Sequence, residues 1–295
     1  MDAVEVKRSP RAWRLGGRTL SFPPPLAAGI VNVTDDSFYS GARSGTPQQA
    51  AADGFALVEA GFDLLDVGAV AARNGPPVPE DVEAARLVPA IERLAAEADV
   101  PVLADTFSVE VAARALAAGA AGINDIGGGG EEMLDLIASS GCGYVLMHIE
   151  GEPRAERAIR RYDDPVAHLK AWFADRIDLA LRRGVAPEQI ALDPGFDFDL
   201  SVDDDLELMR GLGELRGLGH PLFVALSRKD FLGALAAGSW EERLDADRRE
   251  AATLAVVALA VEAGAEVLRL HDRSALDAMR VAAAIAGVGG EATGG

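Results

Sequence analysis

Pro101-Val-Leu-Ala-Asp-Thr-Phe-Ser-Val-Glu-Val-Ala-Ala-Arg-Ala-Leu-Ala-Ala-Gly-Ala-Ala-Gly-Ile-Asn-Asp125 holds one whole repeat of an architecture. A short apolar run, 101–104, stops at a polar pair, Asp105 and Thr106. An Ala-rich stretch of helical period follows over 109–118. A second apolar run, 121–123, stops at another polar pair, Asn124 and Asp125. Apolar runs this short read as buried strands, and the longer periodic stretch between them reads as a helix. Strand, helix and strand in that order predict two parallel strands joined by a right-handed crossover.

The same unit recurs on both sides. Further strands are predicted at 26–33, 64–67, 144–147, 190–192, 222–226 and 266–270, and further helical stretches at 46–60, 82–98, 131–139, 165–183, 206–215, 248–263 and 274–286. Eight such units in roughly 250 residues match a closed α/β barrel better than an open doubly wound sheet. The fold expected is a (β/α)8 TIM barrel. Residues 11–22, centred on Leu15-Gly-Gly-Arg18, read as an N-terminal hairpin that caps the barrel floor. Residues 287–295 read as a frayed tail. No linker interrupts the pattern, so residues 1–295 are expected to form a single domain with its core over 26–286 and an extension over 1–25.

Composition narrows the function. Hydrophobic residues make up 49% of the 295 and aromatic residues only 5%, so the core must be built from Ala, Val, Leu and Ile. A net charge of −19 repels phosphate backbones and argues against nucleic-acid binding. One cysteine, Cys142, allows no intrachain disulfide and fits a reducing cytoplasm. No apolar run approaches the ~20 residues of a membrane span. The first residues lack the apolar segment of a signal peptide. Of 28 cationic residues only Lys7, Lys170 and Lys229 are lysines.

The strand ends carry the chemistry. In order they read Asn32-Val-Thr34, Asp66, Asp105-Thr106, Asn124-Asp125, His148, Asp193, Ser227-Arg-Lys229 and Arg269-Leu-His271. In a barrel of this kind those ends converge on the C-terminal mouth. Asp105, Asn124 and Asp193 suit the donor-rich edge of a flat heterocycle, because carboxylates accept and an amide does both. Arg269, His271 and Asn32 suit an anion or a metal–phosphate group. Lys229 is a mobile cation within reach of a ligand carbonyl. His168 and His220 fall outside the strand ends and read as structural. The glycine run 127–130 lacks the dinucleotide-binding pattern. The acidic run 197–205 lacks the Gly and closing Glu of a calcium loop and reads as a solvated loop.

Taken together, several segments resemble the motifs of dihydropteroate synthases. They are Gly29-Ile-Val-Asn-Val-Thr-Asp-Asp-Ser-Phe38, Asp105-Thr106, Gly122-Ile-Asn-Asp125, Met147-His148, Asp193-Pro-Gly-Phe196, Ser227-Arg-Lys-Asp-Phe-Leu-Gly233 and Arg269-Leu-His-Asp272, in the family's order and across 26–286. The resemblance implies a transferase that joins a pterin carried on a diphosphate to 4-aminobenzoate, with Mg2+, in a cytoplasmic homodimer. It implies a pterin pocket of Asp105, Asn124, Asp193 and Lys229, a diphosphate and Mg2+ site of Asn32, Arg269 and His271, and further substrate contacts from Met147, Phe196 and Arg73. Catalytic roles fall to Lys229, Asp105 and the first-loop Asp36.

Two loops depart from the family pattern. Gly68-Ala-Val-Ala-Ala-Arg-Asn-Gly75 stands where the family usually has Gly-Gly-Glu-Ser-Thr-Arg-Pro-Gly. Asp193-Pro-Gly-Phe-Asp-Phe-Asp-Leu200 stands where it has Asp-Pro-Gly-Phe-Gly-Phe-Gly-Lys. Three readings stay open at this point. They are an active synthase, a pterin-binding paralogue with altered or no synthase activity, and a folate-dependent methyl-transfer barrel. The last leaves Arg269-Leu-His271 without a purpose.

Overall fold

A computed structural model describes residues 12–33, 45–71, 77–154 and 161–288. The expectations placed on Asp36, Arg73 and residues 289–295 lie outside them. Eight parallel strands form the barrel: β3 (Leu26–Asn32), β4 (Leu64–Gly68), β5 (Val102–Asp105), β6 (Gly122–Asp125), β7 (Gly143–Met147), β8 (Ile190–Asp193), β9 (Phe223–Val224) and β10 (Val267–Leu270). They lie in the order β8-β7-β6-β5-β4-β3-β10-β9. A parallel bridge between Leu192 and Leu222 closes the ring, with Leu192 N–H donating to Pro221 O at 2.9 Å. Ahead of the barrel, β1 (Ala12–Leu15) and β2 (Arg18–Ser21) form the antiparallel hairpin.

The outer ring is α1 (Pro47–Ala60), α2 (Glu80–Glu97), α3 (Val109–Ala117), α4 (Glu131–Ser140), α5 (Pro165–Arg182), α6 (Val202–Leu215), α7 (Asp230–Ala237), α8 (Glu250–Glu262) and α9 (Arg273–Ile285). Thr46, Ser108, Asp164, Ser201 and Asp272 each cap a helix by accepting a backbone N–H three residues on. Two helical features escape periodicity. The α7 segment Asp-Phe-Leu-Gly-Ala-Leu-Ala-Ala is apolar nearly all round and has no 3.6-residue stripe. Helix α6 begins four residues earlier than its stripe, because Ser201 and Asp204 form a reciprocal capping box.

Alternation along the strands makes a floor and a mouth from the same inward face. Residues i and i+2 of a strand share a face. Leu64, Leu103, Val145, Ala191 and Val267 pack as one cluster inside the barrel with Trp13, Leu15, Phe22 and Phe223. Two residues further along those strands stand Asp66, Asp105, Met147, Asp193 and Arg269. The hairpin therefore plugs the floor while the polar side chains look into the mouth. Its fit is close: a Cβ on Gly143 would lie 2.1 Å from Leu15 Cδ2 and 2.8 Å from Arg14 O. Trp13 is fully buried, edge-on to Phe223 at 6.1 Å, and its indole N–H donates to Gln189 O at 2.8 Å. No helix among the described residues is long and apolar enough to cross a membrane.

If the hairpin is part of the core, Trp13→Ala lowers the unfolding free energy by about 3–5 kcal/mol. Urea denaturation checks this, and a loss under about 1 kcal/mol would make the hairpin an appendage instead.

Candidate active site

The strand tips meet as the alternation requires. Asp66, at the centre of the group, is fully buried. Its Oδ2 accepts from Asn124 Nδ2 at 3.0 Å and from Arg269 Nε. The other arm of Arg269 donates from Nη2 to Asp105 Oδ2 at 2.8 Å. Register brings these groups level: Gly68 is opposite Asp105, Asp105 opposite Asn124, and Met147 opposite Asp193. Lys229 Nζ donates to Phe196 O at 2.8 Å and sits 4.7 Å from the centre of the Phe198 ring. Met147 packs with Ile126, Ile149 and Phe198 as an apolar wall. Half-buried Asn32 ends β3 at the same mouth. The sequence reading separated Asp105 from Arg269 as ring and anion chemistry; the structure pairs them directly.

Electrostatics mark the bowl as a costly place for charge. Burial, with the Asp66 carboxylate adding to it, pushes the Asp105 pKa up to about 7 against the pull of Arg269. Burial also pushes Asp193 up to about 6, opposed by Lys229 and by the N–H of Gly195. His271 Nδ1 meets Ser227 Oγ at 2.8 Å. Burial, aided by the guanidiniums of Arg269 and Arg228, drives its pKa down to about 3, so the ring is neutral. Arg228 itself is structural: it holds Ala246 O and the Asp272 carboxylate. Two buried acceptors, Asp66 Oδ1 and Asn124 Oδ1, find no donor among the described residues. Buried polar atoms are nearly always satisfied, so this pair marks where a ligand with N–H groups fits.

The acidic run 197–205 is not a solvated loop. Asp197, Asp199, Asp204 and Asp205 are all buried. Asp197 accepts from the N–H groups of Asp230 at 2.5 Å and Phe231 at 2.9 Å, tying down the first turn of α7 beside Lys229. Its own N–H donates to Asp205 at 3.0 Å. Asp199 accepts from Glu150 N–H at 3.2 Å. Asp197 and Asp199 have φ of 67° and 59°, the left-handed region that glycine enters freely and Asp tolerates. The two departures from glycine thus keep the backbone shape and add buried carboxylates. Leu200 joins the main core.

Asp66 is the residue whose importance sequence reasoning underrated. The available signal was an ionisable residue near the end of an apolar run, Leu64-Leu-Asp-Val-Gly68.

Residues 28–271 match the family model described as pterin binding enzyme. The chain is 35% identical over 274 residues to a dihydropteroate synthase of Synechocystis, covering 86% of this chain and 92% of that one. Its structure resembles that of Xanthomonas albilineans dihydropteroate synthase with 4-aminobenzoic acid, with a TM-score of 0.83, 37% identity, and 94% and 98% of the two chains covered. It also resembles that enzyme's complex with 7,8-dihydropteroate, at a TM-score of 0.80 and 38% identity over 92% and 98% of the chains.

A carboxyl whose pKa is raised by folding weakens the fold while ionised. For Asp193 that penalty is complete above about pH 6 and vanishes below the ordinary carboxylate range. Asp193→Asn is therefore expected to stabilise the ligand-free protein at about pH 8 by on the order of 2 kcal/mol, with the two proteins converging near about pH 4. Thermal unfolding across that range checks the sign. A variant less stable at the alkaline end contradicts it.

Proposed function

The chain belongs to the dihydropteroate synthase family of pterin-binding enzymes, and from that premise we propose that it joins 6-hydroxymethyl-7,8-dihydropterin diphosphate to 4-aminobenzoate. The products are 7,8-dihydropteroate and diphosphate, in folate biosynthesis. The observation that carries the proposal is the convergence of Asp66, Asp105, Asn124, Asp193, Arg269 and Lys229 on one bowl that holds two buried acceptors without donors among the described residues.

The reaction breaks the bond between the pterin methylene carbon and the diphosphate oxygen, and that oxygen keeps the electron pair. The amine of 4-aminobenzoate supplies the pair for the new C–N bond and then loses a proton. Cationic character on the pterin side is stabilised by the carboxylates of Asp66, Asp105 and Asp193, fixed in a dry site before the substrate arrives. Ring N–H groups donating to Asp105 and Asp193 favour their ionised forms and offset the burial that raises their pKa values. Lys229 donates to the ring carbonyl, and Asn124 orients the ring edge. Met147 and Phe198 line its face, while Phe196, buried in the main core and stacked on Phe231, contributes its backbone carbonyl to Lys229 rather than its ring to the substrate.

Arg269 and the neutral His271 serve the diphosphate, and the contacts of Arg269 with Asp66 and Asp105 couple the tail site to the ring site. Asn32 would hold Mg2+, since a lone amide oxygen beside phosphate oxygens and water is a donor set magnesium accepts. The bound ion supplies charge neutralisation for the leaving diphosphate. The family resemblance assigns a catalytic role to Asp36 and a substrate contact to Arg73, both outside the described residues.

The unit is a single domain over 1–295 with its core at 26–286. It works as a cytoplasmic homodimer, a reading supported by exposed Leu259 on α8 and Val281 and Ile285 on α9. One observation favours a paralogue without synthase activity: Val70, Ala71 and Ala72 stand where the family pattern has Glu, Ser and Thr in the second loop.

Turnover separates the two readings. With the pterin diphosphate, 4-aminobenzoate and Mg2+, dihydropteroate and diphosphate are expected in equal amounts. Lys229→Ala is expected to weaken pterin binding roughly 10- to 100-fold and to cut turnover, since a charged hydrogen bond contributes about 1.5–3 kcal/mol. Tight pterin binding without product supports the paralogue. Full activity in the variant removes Lys229 from the site.

A further inference from the structure

A second cluster of ligating side chains stands beside the bowl. His148 follows the last residue of β7, Glu150 lies two residues on, and His168 sits in the first turn of α5. His148 Nε2 lies 3.5 Å from Glu150 Oε1, and His168 Nε2 lies 2.5 Å from the same oxygen. One ligating atom from each residue falls within 4.8 Å of the other two. The His148 side chain is 0% exposed, yet neither of its ring nitrogens has a hydrogen bond among the described residues. The long contact of Nε2 with Glu150 is the nearest either nitrogen comes to one, an imidazole so withdrawn from water is costly, and a bound cation removes that cost. The rings are held in place: Trp172 packs edge-on against His148 at 5.0 Å, and Tyr162 stacks on His168 at 4.1 Å. Asp199 fixes the backbone of Glu150.

We propose that His148, Glu150 and His168 bind a zinc-class divalent cation through two imidazole nitrogens and one carboxylate oxygen, with a further position left to water. In a tetrahedral site with metal–ligand distances near 2.0–2.1 Å, ligand atoms stand about 3.3 Å apart. The separation of His148 from Glu150 already has that value within a few tenths of an ångström. The contact of His168 with Glu150 must open by roughly 1 Å. Partial exposure of both side chains, 33% and 18%, leaves room for that movement. Imidazole nitrogens favour zinc, whereas magnesium takes oxygen, so this site is chemically distinct from the one at Asn32. A cation here ties the tip of β7, next to Met147, to the start of α5.

The test uses the full chain, stripped by a chelator and titrated with zinc chloride by calorimetry in excess Mg2+. One equivalent is expected to bind and to raise the melting temperature. Glu150→Gln, close to isosteric, and His168→Ala should each weaken zinc binding by about 100-fold or more, since even changes to groups that only support a ligand cost about 10–100-fold. Cys142→Ser should leave the affinity unchanged. The absence of saturable zinc binding overturns the proposal, as does unchanged affinity in both ligand variants.

Discussion

Two carboxylates share one guanidinium at the mouth of the barrel, and much of the molecule is arranged around that imbalance. Arg269 cannot neutralise both Asp66 and Asp105, and burial keeps water from Asp66. The remaining negative character is held in check by raising the pKa of Asp105 and by the proximity of Lys229 to Asp193. Left to itself, such a group of charges destabilises a fold. As a receptor for a ring rich in N–H groups that becomes cationic as it reacts, it is already oriented for the charge it must stabilise.

Holding charges in that arrangement needs stiff support from below and from the side. Below, the hairpin fills the barrel with Trp13, Leu15 and Phe22, so the strand tips rest on a packed floor. At the side, Asp197 fastens the start of α7 while Lys229 fastens the carbonyl of Phe196. These two contacts run in opposite directions between the sixth and seventh strand loops. They hold the lysine through the two backbone N–H groups that follow it and through its side chain. The substitution of Asp for Gly at 197 does not loosen that clasp, because Asp enters the left-handed region and brings its own acceptors.

His148 links the two clusters described above. It follows Met147 in the chain, and its N–H donates to Asp193 O at 2.9 Å, so its backbone belongs to the bowl while its ring turns toward Glu150 and His168. A constraint placed on that ring would pass directly to the wall of the pocket.

The amino-acid order alone determined the alternation of strands and helices, the closed barrel, the hairpin floor and the polar identity of each strand tip. Those features follow from periods of two and 3.6 residues, which neighbouring residues carry between them. Which tips touch was decided only by the tertiary structure. Asp66 and Arg269 are 203 residues apart and meet because the ring closes. The acidic run 197–205 resembles a solvated loop in composition, yet four of its aspartates are buried by distant or folded-in partners, Asp197 by the first turn of α7, which has no helical stripe, and Asp199 by the backbone of Glu150. His168 looks like an ordinary helix residue until α5 is laid beside the tip of β7. Local pattern sets which face of an element is apolar; the partners of a polar group are set by distances that exist only once the barrel is closed.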